Sequence, residues 1–149
     1  LTAIKTPGTE DELERWMKEN CYNFNNYSIN GNFISEGFGI DRSGSLFSWY
    51  YTERGEKNIL KYFQSESEIA AYAFHQIKSD KWARTHCIGF TTSIDEKSEL
   101  EAILRNMGIA YFQDTIPYYG PEQPAYRTFV SGCAITQTIH LKDKYYRQR

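Results

Sequence analysis

Residues 33–63, FISEGFGIDRSGSLFSWYYTERGEKNILKYF, constrain this chain most. Two turn signals, DRSGS and RGEK, cut the stretch into three runs rich in aromatic and β-branched residues. Such punctuation predicts three consecutive antiparallel strands rather than helix. In LFSWYYTE both alternating sets are bulky: Phe47, Trp49 and Tyr51 on one side, Leu46, Ser48 and Tyr50 on the other. This run is therefore expected to be a central strand covered on at least one side.

Three helices frame the other strands. Thr9 with Glu12, Ser65 with Glu68, and Ser93 with Glu96 each have the spacing of a capping box, in which a hydroxyl receives an orphan amide. Apolar stripes follow at helical spacing: Leu13, Trp16 and Met17; Ile69, Tyr72, Ala73 and Ile77; Leu100, Ile103, Leu104 and Met107. Gly108 stands where a left-handed cap is favoured. CIGFTT and IAYFQDT read as strands, and AYRTFVSGCAITQTIHL as a long or bent strand with a bulge at Gly132. The expected class is α+β, with about three helices and an antiparallel or mixed central sheet of about five to six strands. With 149 residues, one domain is expected over 1–141, followed by an exposed basic tail over 142–149.

The net charge is −2, but the tail carries +3 and residues 1–141 therefore −5. A mildly acidic body argues against a nucleic-acid surface and is compatible with a basic protein partner. No apolar run is long enough to span a bilayer, so no membrane partner is expected. The opening LTAIKTPGTEDEL has neither the charged start nor the apolar stretch of a secretory signal. Cys21, Cys87 and Cys133 form an odd, widely spaced set, read as small buried hydrophobes in a reducing cytoplasm.

Signals for bond-making chemistry are sparse. GFGIDRSG lies between strands and does not open a helix, so it fails as a phosphate loop. No Cys or His pair has compact zinc-ligand spacing, and neither metal nor cofactor is expected. His86 and Cys87 are strand neighbours and point to opposite faces. No catalytic residue is assigned. The alternative is a small metal-free ribonuclease or hydrolase using His75, His86 or His140 as acid or base.

One segment has no regular-structure explanation. DTIPYYGPEQPAYRTF, residues 114–129, holds Pro117, Pro121 and Pro124 around paired tyrosines. Prolines cannot donate to a ladder, and they reduce the entropy lost on ordering a loop. Tyrosine adds contact area and a hydroxyl while freezing only two torsions. Asp114, Tyr118, Tyr119, Glu122 and Tyr126 are the expected partner-binding set, joined by Glu53 and Glu56 of the second turn.

WYYTERGEKNILKYFQSESEIAAYAF, followed by a short strand, a helix and YRTFVSGCAI, resembles the small immunity proteins of bacterial toxin systems, of the contact-dependent inhibition and polymorphic-toxin kinds. The resemblance implies a compact, non-catalytic, cytoplasmic protein. Such a protein binds a cognate toxin domain, often a basic nuclease, and blocks its active site.

Overall fold

The computed structural model describes residues 5–147. It is α+β, as the sequence implies, but its strands form two sheets instead of one. Backbone proximity divides the chain into two units, Leu1–Ala83 and Arg84–Arg149, where a single domain over 1–141 was expected. The strand runs show no composition break that would mark this division.

The first unit begins with α1 (Glu10–Glu19) and a two-residue strand β1 (Tyr27–Ser28). The meander follows as β2 (Glu36–Ser43), β3 (Leu46–Glu53) and β4 (Glu56–Phe63), then α2 (Glu66–Lys78). The sheet order is β1-β2-β3-β4, with β1 parallel to β2 and the other pairs antiparallel. β3 is central, as its two bulky faces imply. Thr9 and Ser65 accept the amides of Glu12 and Glu68, so both helices start at their capping residues.

Leu13 and Met17 of α1, Ile69, Ala73 and Ile77 of α2, and Ile40 and Trp49 of the sheet are buried together. Trp49 stacks on Phe38 at 5.7 Å and meets Tyr72 edge-on at 5.8 Å. Each large apolar side chain buried here contributes roughly 1.5–3 kcal/mol.

A carboxylate is enclosed at the start of α1. Glu10 accepts the Asn30 amide at 2.5 Å, and its own amide donates to Glu66 at 3.0 Å. Glu66 also pairs with Arg42 at 2.9 Å. Burial raises the Glu10 pKa, against the lowering pull of the Asn30 amide and Arg42. A carboxyl with a raised folded pKa favours folding most below the ordinary carboxylate range. That contribution is lost as pH rises through the folded value. Glu10→Gln keeps an acceptor oxygen for Asn30 and removes the charge. It is expected to raise Tm by about 1–3 °C at pH 7 and to match the parent protein below about pH 4. Thermal melts across this range check the sign.

The second unit contains β5 (Thr85–Thr91), α3 (Ile94–Met107), β6 (Tyr111–Ile116) and β7 (Ala125–Ser131). α3 is capped by Ser93 and closed by Gly108 at φ 71°. β7 lies between β5 and β6 and is antiparallel to both. The crossover helix thus joins two strands of like direction, but they are not neighbours.

Gly132, at φ 59°, ends the strand instead of bending it. The chain then continues through α4 (Ile135–Thr138), a 3-10 turn (Ile139–Leu141) and α5 (Lys142–Tyr145). The exposed tail expected over 142–149 is therefore corrected for its described part. Tyr145 is fully buried with Leu100, Leu104 and Val130, and residues 148–149 lie outside the described residues. The helical spacing of Thr138, Leu141 and Tyr145 drives this docking, because all three are buried.

Candidate functional site

The tyrosine segment is the hairpin connection between β6 and β7. Asp114 faces Arg127, Thr115 faces Tyr126 and Ile116 faces Ala125, after which pairing stops at Pro117. Two successive turns shape the loop: the Gly120 amide donates to the Pro117 carbonyl at 3.1 Å, and the Gln123 amide to the Gly120 carbonyl at 3.0 Å. The prolines set the loop apart from the ladder, as their missing donors require.

Tyr118 meets Phe90 edge-on at 5.0 Å, and Tyr119 meets Tyr118 edge-on at 4.7 Å. The two residues are nevertheless 43% and 42% exposed. The two phenols are thus propped from below and open to solvent above. Tyr126 is partly buried under the Lys97 ammonium, 5.3 Å from its ring centre.

Tyr119, Glu122 and Tyr126 come together along a groove of about 890 Å³. Phe90, Thr91, Thr92, Ser93 and Glu96 contribute from the β5–α3 junction, and Arg147 from the C-terminal segment. Arg147 is held there by its amide, 2.7 Å from the Phe90 carbonyl, and by Glu96 at 2.9 Å. The Thr91 hydroxyl donates to Glu96 at 2.5 Å and accepts the Ser93 amide at 3.0 Å. Ser93 in turn caps α3. The hydroxyls and the Glu96–Arg147 pair are thereby engaged inside the fold. Glu122 is exposed and has no ion-pair partner among the described residues. Aromatic rings with one available carboxylate suit recognition of a cationic, partly apolar surface.

Asp114 behaves differently from its expected role. Its carboxylate binds Arg127 in a two-pronged pair, at 2.8 and 2.5 Å. The hydrogen bond to Asp114 raises the Arg127 pKa. Asp114 thus braces the hairpin more than it offers charge to a partner. Glu53 and Glu56 belong to the first unit, where they flank the β3–β4 turn. Arg54 and Gly55 form this turn with φ of 52° and 80°, the left-handed pair that a tight hairpin needs.

Phe90, Glu96 and Arg147 were not singled out from sequence. Glu96 was legible only as a cap. Arg147 had a signal in the apolar spacing of Leu141 and Tyr145, which anchors the segment beside β5.

The histidines lie on separate elements: His75 on α2, His86 on β5 and His140 in the 3-10 turn after α4. Among the described residues no three His, Cys, Asp or Glu side chains are placed to hold a metal ion. Cys87 is a free thiol whose pKa is raised by burial. Cys21 and Cys133 are not the free, buried thiols expected, so the cysteines no longer argue for a reducing compartment. No described helix is long and apolar enough to cross a membrane. No known family, curated protein or solved structure matches the chain.

Proposed function

We propose that this chain is an immunity protein, which neutralises a cognate bacterial toxin domain by covering its active site. The observation that carries the reading is the proline-braced hairpin loop, with two half-exposed tyrosines packed edge-on beside a groove lined by Phe90, Tyr126 and polar side chains. Held rings lose little freedom on binding, so their desolvation contributes to slow dissociation.

The partner is proposed to be basic, and a nuclease domain fits best because it must attract phosphate. Charge is unevenly placed to meet it. Residues 1–83 hold nine basic and twelve acidic side chains, net −3, whereas residues 84–149 hold eight and seven, net +1. The first unit supplies long-range attraction and the tyrosine loop supplies contact. No direct nucleic-acid binding is part of the reading.

The test is a search for a basic toxin domain encoded beside this gene, followed by co-expression with it. Growth rescue and a stoichiometric complex that stops the toxin's activity are expected. A toxin fully active in the presence of excess folded protein contradicts the proposal.

A further inference from the structure

The end of the first sheet carries a second groove, of about 640 Å³, with an unusual charge arrangement. Glu36 faces Glu53, and Glu53 faces Glu56, so three carboxylates form one row across β2, β3 and β4. Like charges directly opposite one another disfavour strand pairing. All three are exposed, and none has a lysine or arginine partner among the described residues. Elsewhere Asp41, Glu66, Glu96, Glu99, Glu101 and Asp114 each have one.

The Tyr51 hydroxyl lies 3.2 Å from both Glu36 and Glu53. A phenol has one proton to donate, so it satisfies one carboxylate at a time. Its pKa is pushed up to about 12, by desolvation first and then by these two carboxylates. Among the described residues Arg54 is the only cation lining this groove. Beside the row, Phe33 is 89% exposed and lines the same groove with Ile34.

We propose that this groove docks a basic segment of the partner protein, an arginine flanked by apolar residues. The guanidinium can donate to two carboxylates through its planar fork while stacking on an aromatic face, and its flanking side chains cover Phe33. The proposal rests on the binding-protein reading above and assigns that partner a second contact on the first unit. Metal chemistry is not the source of the row, since its carboxylates are not grouped to hold an ion.

The probe is a synthetic peptide alternating arginine and leucine, with a twin in which neutral citrulline replaces arginine. Amide NMR shifts are expected at residues 33–36 and 52–56 with the arginine peptide and not with its twin. Phe33→Ala and the pair Glu36→Gln with Glu53→Gln are each expected to weaken binding about 10-fold. Glu14→Gln, in the acidic start of α1, is expected to change it by less than about 2-fold. Thermal melts of the variants confirm that the fold is retained.

Shifts centred on α1, or equal weakening by Glu14→Gln, overturn the proposal, because the peptide then reads net charge alone. A toxin complex that leaves residues 33–36 and 52–56 unprotected overturns it too, while leaving the immunity reading intact.

Discussion

Gly37→Ala is expected to destabilise the first unit by about 3 kcal/mol or more, enough to abolish soluble protein in a marginal domain. Two independent costs meet at this position. Its φ of 140° is closed to L side chains, and a Cβ would lie 2.0 Å from the Asn26 carbonyl oxygen. That oxygen accepts the Phe38 amide at 2.9 Å, in the approach that lets β1 pair with β2. Displacing it would draw Tyr27, Ser28 and Ile29 out of the interior. Gly44 provides the control. It also has a positive φ, of 63°, but open space around it. Gly44→Ala should cost only about 1 kcal/mol. Urea unfolding of both variants checks the contrast. Equal losses would show that backbone angle, and not the close approach of β1, governs the position.

Replacing Tyr118 and Tyr119 together by alanine is expected to weaken binding to the proposed toxin partner about 30- to 1,000-fold, the range of two cooperating hot-spot side chains. Stability should change far less. Tyr118 contributes an edge contact to buried Phe90, and such aromatic pairs are worth roughly 0.5–1.5 kcal/mol. Among the described residues the Tyr119 ring packs on Tyr118, itself half-exposed, so Tyr119→Ala should leave Tm within about 2 °C while still losing affinity. Calorimetric titration beside thermal melts separates the two effects. A large fall in Tm with unchanged affinity means that the tyrosines shield the sheet and do not contact a partner.

Much of the local structure was legible because its causes are local. The helix starts at Thr9, Ser65 and Ser93 depend on residues three positions away, and each hydroxyl receives its amide. The Arg54–Gly55 turn and the proline loop follow from backbone permissions of the same short range. What failed was long-range. Residues 135–139, ITQTI, are rich in β-branched side chains and favour strand by propensity, yet they lie within helical turns. Burial of Thr138, Leu141 and Tyr145 overrides that preference. The division into two sheets depends on which strands meet, and alternation within a strand does not encode its neighbour.

The candidate site divides along the same line. Tyr119, Glu122 and Tyr126 sit within one loop and its flank, so their grouping could be anticipated. The Asp114–Arg127 pair was not legible, because Arg127 lies across the hairpin and the strand register decides the pair. Arg147 reaches the groove only because Tyr146 bridges to Phe90, far away in sequence.

Amide hydrogen exchange on a purified complex with the proposed toxin partner, compared with the free protein, is the most direct measurement. The loop at 117–124 and the adjoining residues 90–96 should exchange markedly more slowly in the complex. Unchanged exchange throughout both segments, with protection confined to other surfaces, would contradict the claim that the tyrosine hairpin is where this protein meets its partner.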